Sequence, residues 1–75
     1  MPELRKVSGK DAIKSLERLG FIQVRQRGSH VILKKSTTTG NIGCVVPLHK
    51  ELKIGTLRGI LKLAKIEPEE FLNNL

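Results

Sequence analysis

The periodic part of the chain opens at Ser8, which Asp11 follows three residues later in a capping-box-like start. Ala12, Ile13, Leu16 and Leu19 then recur at helical spacing on an arc of about 120°, with Lys10, Lys14 and Arg18 on the opposite side. Gly20 supplies the C′ residue that ends such a helix. From Phe21 to Gln26 the pattern changes period: Ile22 and Val24 alternate with Gln23 and Arg25, a short strand. Arg27-Gly28 signals a turn, Ser29 to Lys35 reads as a second, β-branched strand, and the polar run Ser36 to Asn41 predicts a hairpin loop. Ile42 to Val46 makes a third strand, closed by Pro47, which cannot donate to a ladder. After a connection from Leu48 to Gly55, a second helix carries Leu57, Ile60, Leu61, Leu63 and Ala64 on an apolar arc of about 160°. Arg58, Lys62 and Lys65 stripe its wet face. Pro68 fits the first turn of a short final helix, where Glu69 and Glu70 complement the dipole and Phe71, Leu72 and Leu75 dock.

The order α-β-β-β-α, with a last helical turn, has a natural two-layer solution: a three-stranded antiparallel sheet with helices on one face. That is an α+β fold with the architecture of a double-stranded-RNA-binding domain. No linker, repeat or low-complexity run interrupts the pattern, so residues 1–75 read as a single domain. One feature does not suit a wholly solvated outer sheet face. Val31, Ile32 and Leu33, and then Cys44, Val45 and Val46, are consecutive, and consecutive strand residues point to opposite faces. Some of these apolar groups must turn away from the helices, which usually marks a partner surface.

Charge adds a direction. The chain carries 14 Lys+Arg and 7 Asp+Glu, and Glu67, Glu69 and Glu70 cluster near the C-terminus, so residues 1–66 hold a net of +10. A field of that sign on so small a body favours polyanions through phosphate neutralisation and counterion release. A solvated basic surface that only aids solubility is the bland alternative. The sole aromatics are Phe21 and Phe71, both in apolar runs, so no side chains remain to stack bases as single-strand-reading domains do. A nucleic-acid partner would be held by phosphate, 2′-hydroxyl and shape, which points to RNA. With 75 residues the core is small, worth about 3–5 kcal/mol. No apolar run approaches a membrane span, the Met1-Pro2-Glu3 start has no signal-peptide core, and the single cysteine fits a reducing compartment; a cytoplasmic protein is expected. No glycine-rich phosphate loop of either common type is present, so no nucleotide cofactor is expected.

Few residues could do chemistry. No acid–base set surrounds Ser8, Ser15, Ser29 or Ser36, and the carboxylates belong to helix surfaces and the tail. His30, Cys44 and His49 lack metal-ligand spacing, so no metal is expected, and mid-strand Cys44 reads as a small core residue. The histidines remain, each near a strand end: His30 in Arg27-Gly28-Ser29-His30, and His49 two residues past Pro47. Imidazole suits proton transfer at neutral pH. RNA cleavage needs a base for the 2′-hydroxyl proton and an acid for the leaving 5′-oxygen, with nearby Lys or Arg offsetting charge on the phosphorane-like transition state. A turn histidine and a loop histidine with ordinary hydrogen bonds fit the same spacing.

Taken in order, Ser8-Gly9-Lys10-Asp11, Leu19-Gly20-Phe21, Arg27-Gly28-Ser29-His30, Val46-Pro47-Leu48-His49, Gly55-Thr56-Leu57-Arg58 with Ile60-Leu61, and Glu69-Glu70-Phe71-Leu72 resemble the HicA-type mRNA interferase toxins (the YcfA-like family) over nearly the whole chain. The resemblance implies the double-stranded-RNA-binding-like fold, an endoribonuclease that cleaves mRNA and halts translation, and a cognate HicB-type antitoxin that covers the catalytic histidine and often represses the shared operon. Carried across, that histidine is His30, with Gly28 and Ser29 shaping its turn, while His49 matches a Pro-x-His element of secondary role. The chain departs from the family pattern in a short loop from His49 to Gly55, in Lys65 where glycine is frequent, and in Glu67 where serine commonly caps the last helix.

The expected protein is therefore a toxin-component endoribonuclease needing no metal or other cofactor. Lys10, Arg27, Lys34, Lys50, Lys53 and Arg58 are the candidate RNA contacts. Two rivals share the charge and the fold: a non-catalytic RNA-binding module, which would leave RNA intact, and an interaction protein that docks a partner on its apolar sheet face.

Overall fold

A computed structural model of the chain describes residues 4–75; Met1, Pro2 and Glu3, and with them the reading of the start of the chain, lie outside the described residues. The elements are α1 (Gly9–Arg18), β1 (Ile22–Arg27), β2 (His30–Thr37), β3 (Gly40–Pro47), α2 (Ile54–Ala64) and α3 (Pro68–Asn73). The strands form one antiparallel sheet in the order β1-β2-β3. Val31, Leu33, Cys44 and Val46 bury one sheet face in a single core with Ala12, Ile13 and Leu16 of α1, Leu57, Ile60, Leu61 and Ala64 of α2, and Phe71 of α3. This is the expected α+β, double-stranded-RNA-binding-like architecture.

Local chemistry explains the helix ends. Ser8 is the N-cap of α1, and its side chain accepts from Asp11 N at 3.0 Å. At the other end Gly20 takes φ +102°, Gly20 N–H donates to Glu17 O and Phe21 N–H to Leu16 O, both at 3.0 Å, closing a Schellman motif. The same pair of bonds ends α2, from Lys65 N–H to Lys62 O and from Ile66 N–H to Leu61 O. Lys65 thus stands at a left-handed cap, φ 56° and ψ 43°, rather than on the helix's solvated stripe. An L-residue there costs about 1–2 kcal/mol, and glycine returns about 0.5–1 kcal/mol of that to the unfolded chain. Lys65→Gly is expected to raise stability by about 0.5–1 kcal/mol, read as a rise of a few degrees in melting temperature.

Three further expectations change. The hairpin between β2 and β3 is not a six-residue loop, because the ladder runs on through Ser36↔Asn41 to Thr37↔Gly40, leaving only Thr38 and Thr39 to turn. Thr37 Oγ1 caps that turn, donating to Gly40 O at 2.7 Å and accepting from Thr39 N. In β1 the alternation is real but its apolar side faces out: Ile22 and Val24 are 63% and 47% exposed. The pairing with β2 shifts between Gln23 and Arg25, so Val24 is an extra residue in a bulge. Leu63, counted in the apolar arc of α2, is 65% exposed, so the buried stripe is narrower than the sequence implied.

Candidate active site and nucleic-acid interface

His30 is the first residue of β2, and the chain reaches it through a two-residue turn, Gly28-Ser29, that joins it to Arg27. Gly28 has φ +58°, and Ser29 does not share a positive φ. A positive φ at the first central position alone is the requirement of a type II′ hairpin turn, which glycine meets without strain. Gln26 Nε2 braces the turn by donating to Gly28 O at 3.0 Å. Arg27 and His30 are direct cross-strand partners, so both project from the same sheet face. Val31 and Leu33 are buried toward the helices, which sends His30, Ile32 and Lys34 to the opposite, open face.

Three backbone hydrogen bonds gather distant segments at this end of the sheet. Leu48 N–H donates to Ser29 O at 2.6 Å, Gly9 N–H to His49 O at 2.9 Å, and Leu52 N–H to Val7 O at 2.7 Å. The β1–β2 turn, the exit of β3 and the start of α1 are therefore tied together, and fully buried Leu52 anchors the loop that follows. The structure brings Arg27, Gly28, Ser29 and His30 to the same end as His49 and Lys50, with both histidines exposed. Gly9 makes this junction possible: a Cβ there would fall on the Pro47 carbonyl oxygen and 3.0 Å from Leu48 Cα. Gly9→Ala must push α1 off β3, so it is expected to lower stability by about 1–3 kcal/mol and to disturb the His49 loop. Chemical denaturation measures the first effect, and the His49 imidazole resonances in an NMR spectrum report the second.

The other candidate contacts are dispersed. Lys34 lies four residues along β2 from His30, on the same open face and opposite Ile22. Lys10 lines a cleft between α1 and β1 with Lys14, Glu17, Gln23, Gln26 and Leu48. Lys53 is the N-cap of α2, and Arg58 is exposed on that helix. Arg25, not singled out from the sequence, pairs with Ile32 beside the Arg27–His30 pair and adds a cation to the open face. Its signal was present: once Arg27 and His30 share a face, period two puts Arg25 there too, since the bulge at Val24 interrupts the register only on the far side of Arg25.

Cys44 is buried beneath the sheet, and burial pushes its thiol up from 9.0 to about 11, so it stays a neutral core side chain at neutral pH. Among the described residues no three of His, Cys, Asp and Glu come together as metal ligands. None of the described helices is long and apolar enough to cross a membrane.

No curated protein matches the chain. A family model described as the HicA toxin of bacterial toxin–antitoxin matches residues 9–66, from the glycine that seats α1 on β3 to the isoleucine that closes the cap of α2. That span holds more than half of the chain, including the turn with His30 and the loop with His49, so this protein belongs to the HicA toxin family.

Proposed function

We propose that this toxin is an endoribonuclease that cleaves mRNA in the cytoplasm, in one domain and without a metal ion, with His30 as its catalytic residue. The observation that carries the reading is the place of His30: exposed at the mouth of a glycine turn, opposite its cross-strand partner Arg27 on an open sheet face. An imidazole there can meet a phosphodiester without displacing core, and a neighbouring arginine offsets the charge that develops on the phosphoryl oxygens.

In the proposed reaction the base takes the 2′-hydroxyl proton, the O2′–P bond forms and the P–O5′ bond breaks. The 5′-oxygen leaves with a proton from the acid. The products are a 2′,3′-cyclic phosphate and a 5′-hydroxyl, and no water, oxidant or second substrate is consumed. His30 serves as the base or the acid. His49 orients the strand or touches its phosphate from the neighbouring loop, and Gly28 and Ser29 hold the turn.

Membership in the family implies a cognate antitoxin. The open face suits one: Ile22, Val24 and Val45 are exposed there, and Arg25, Arg27 and Lys34 stand among them. A HicB-type partner with acidic groups around apolar anchors would cover that face and His30 with it.

The test pairs wild type with His30→Ala, following RNA integrity in the presence of EDTA and growth of a bacterial host. Fragmentation and arrest by wild type alone support the reading. Intact RNA with folded wild type favours the binding-module or docking alternatives.

A further inference from the structure

On the helical side of the molecule, the segment before α1, the outer face of α1 and the loop after β3 enclose an open groove of about 540 Å³. Arg5, Lys6, Lys14, Arg18 and Lys50 line it, against the carboxylates of Asp11 and Glu51. Glu51 is matched by Lys6 at 4.0 Å, which leaves four cations facing Asp11. Lys14 and Arg18 are one helical turn apart and share a face. Arg18 Nη1 donates to Asn74 O at 2.8 Å, holding that guanidinium at the far end, while Lys50 follows His49 at the near end. The bonds Gly9 N–His49 O and Leu52 N–Val7 O fix the walls. Along the ten residues of α1 the groove extends for about 15 Å.

The lining selects the ligand. Only Val7 and Leu75 are apolar, so a peptide would find few pockets for side-chain anchors. There is no aromatic to stack a base. What the groove offers is a row of separated positive charges, which suits a chain of separated negative ones. We infer that this groove is a backbone track for a single RNA strand, engaging phosphates away from the scissile one and feeding the strand past the His49 loop toward His30. This inference rests on the nuclease reading above.

The test uses the full chain carrying His30→Ala, so that RNA is bound without turnover, and a fluorescein-labelled, unstructured 20-nucleotide RNA followed by anisotropy across a salt series. Lys14→Glu is compared with Lys62→Glu, which makes the same charge change at an exposed position of α2 outside the groove. Lys14→Glu is expected to weaken binding ten-fold or more and to reduce the log–log salt slope by about 0.7, the loss of one phosphate contact on a single strand. Lys62→Glu is expected to stay within two-fold. Equal weakening by both variants would reduce the groove to part of a general field and overturn the track, as would no effect of Lys14→Glu. Tighter binding of a polyglutamate peptide than of RNA, lost in Lys14→Glu, would assign the groove to an acidic protein instead. RNA cleavage by wild type with unaltered binding in Lys14→Glu discards the track and keeps the nuclease. Lys14-dependent binding without cleavage keeps the track and discards the nuclease.

Discussion

His30→Ala is expected to lower RNA cleavage by about 10²–10⁴-fold, the usual contribution of a positioned acid or base. The loss should fall on kcat, with RNA affinity within about two-fold, because the proposed phosphate contacts are spread over many cations and the imidazole is one contact among them. Stability should hold: His30 is exposed, so its truncation opens no cavity, and the turn before it is shaped by Gly28 and braced by Gln26. A melting curve alongside the cleavage assay checks this, since loss of the fold would remove the meaning of lost activity. Equal cleavage by both proteins would keep the nuclease and move its chemistry, most directly to His49, which shares that end of the sheet.

Phe71→Ala is expected to leave the protein largely unfolded near body temperature. Phe71 is fully buried and docks α3 against α1 and α2 within the common core. Its carbonyl also accepts from Ser15 Oγ at 2.7 Å, the one hydrogen bond of a fully buried hydroxyl on α1. Truncating a buried phenylalanine costs about 3–5 kcal/mol, which equals the whole margin of a core this small. The expected drop in melting temperature exceeds ten degrees. The family match ends at Ile66, and α3 lies beyond it. A drop of only a few degrees would mean that α3 frays separately and that residues 9–66 carry the cooperative unit.

Phe71 was legible as a docking residue from its place in a short apolar stretch behind Pro68 and two glutamates. The Ser15 hydroxyl that meets its carbonyl was not, because the two residues are 56 positions apart and a serine in a helix carries no mark of its partner. His30 was legible as a candidate through the glycine turn before it. The proximity of the His49 loop was not: it depends on the Ser29–Leu48 and Gly9–His49 bonds, which only a closed sheet and a seated helix create.

Local physics sets the ends of α1. Ser8 and Gly20 bound α1 because a side-chain oxygen and a residue tolerant of positive φ satisfy the helix's own orphan groups. Lys65 reads from the sequence as one more cation on the wet face of α2, and only the structure shows it at the left-handed cap, where glycine carries no strain. Strand order and the two-layer plan followed from period and connection length. The tertiary structure decided the rest. The face that Ile22 of β1 takes turned on a bulge at Val24, and the polar run from Ser36 to Asn41 joined the ladder because a partner strand satisfied its backbone. The groove formed by Arg5, Lys14, Arg18 and Lys50 exists only where three segments meet, since charge repels along a chain but collects wherever folding brings it together.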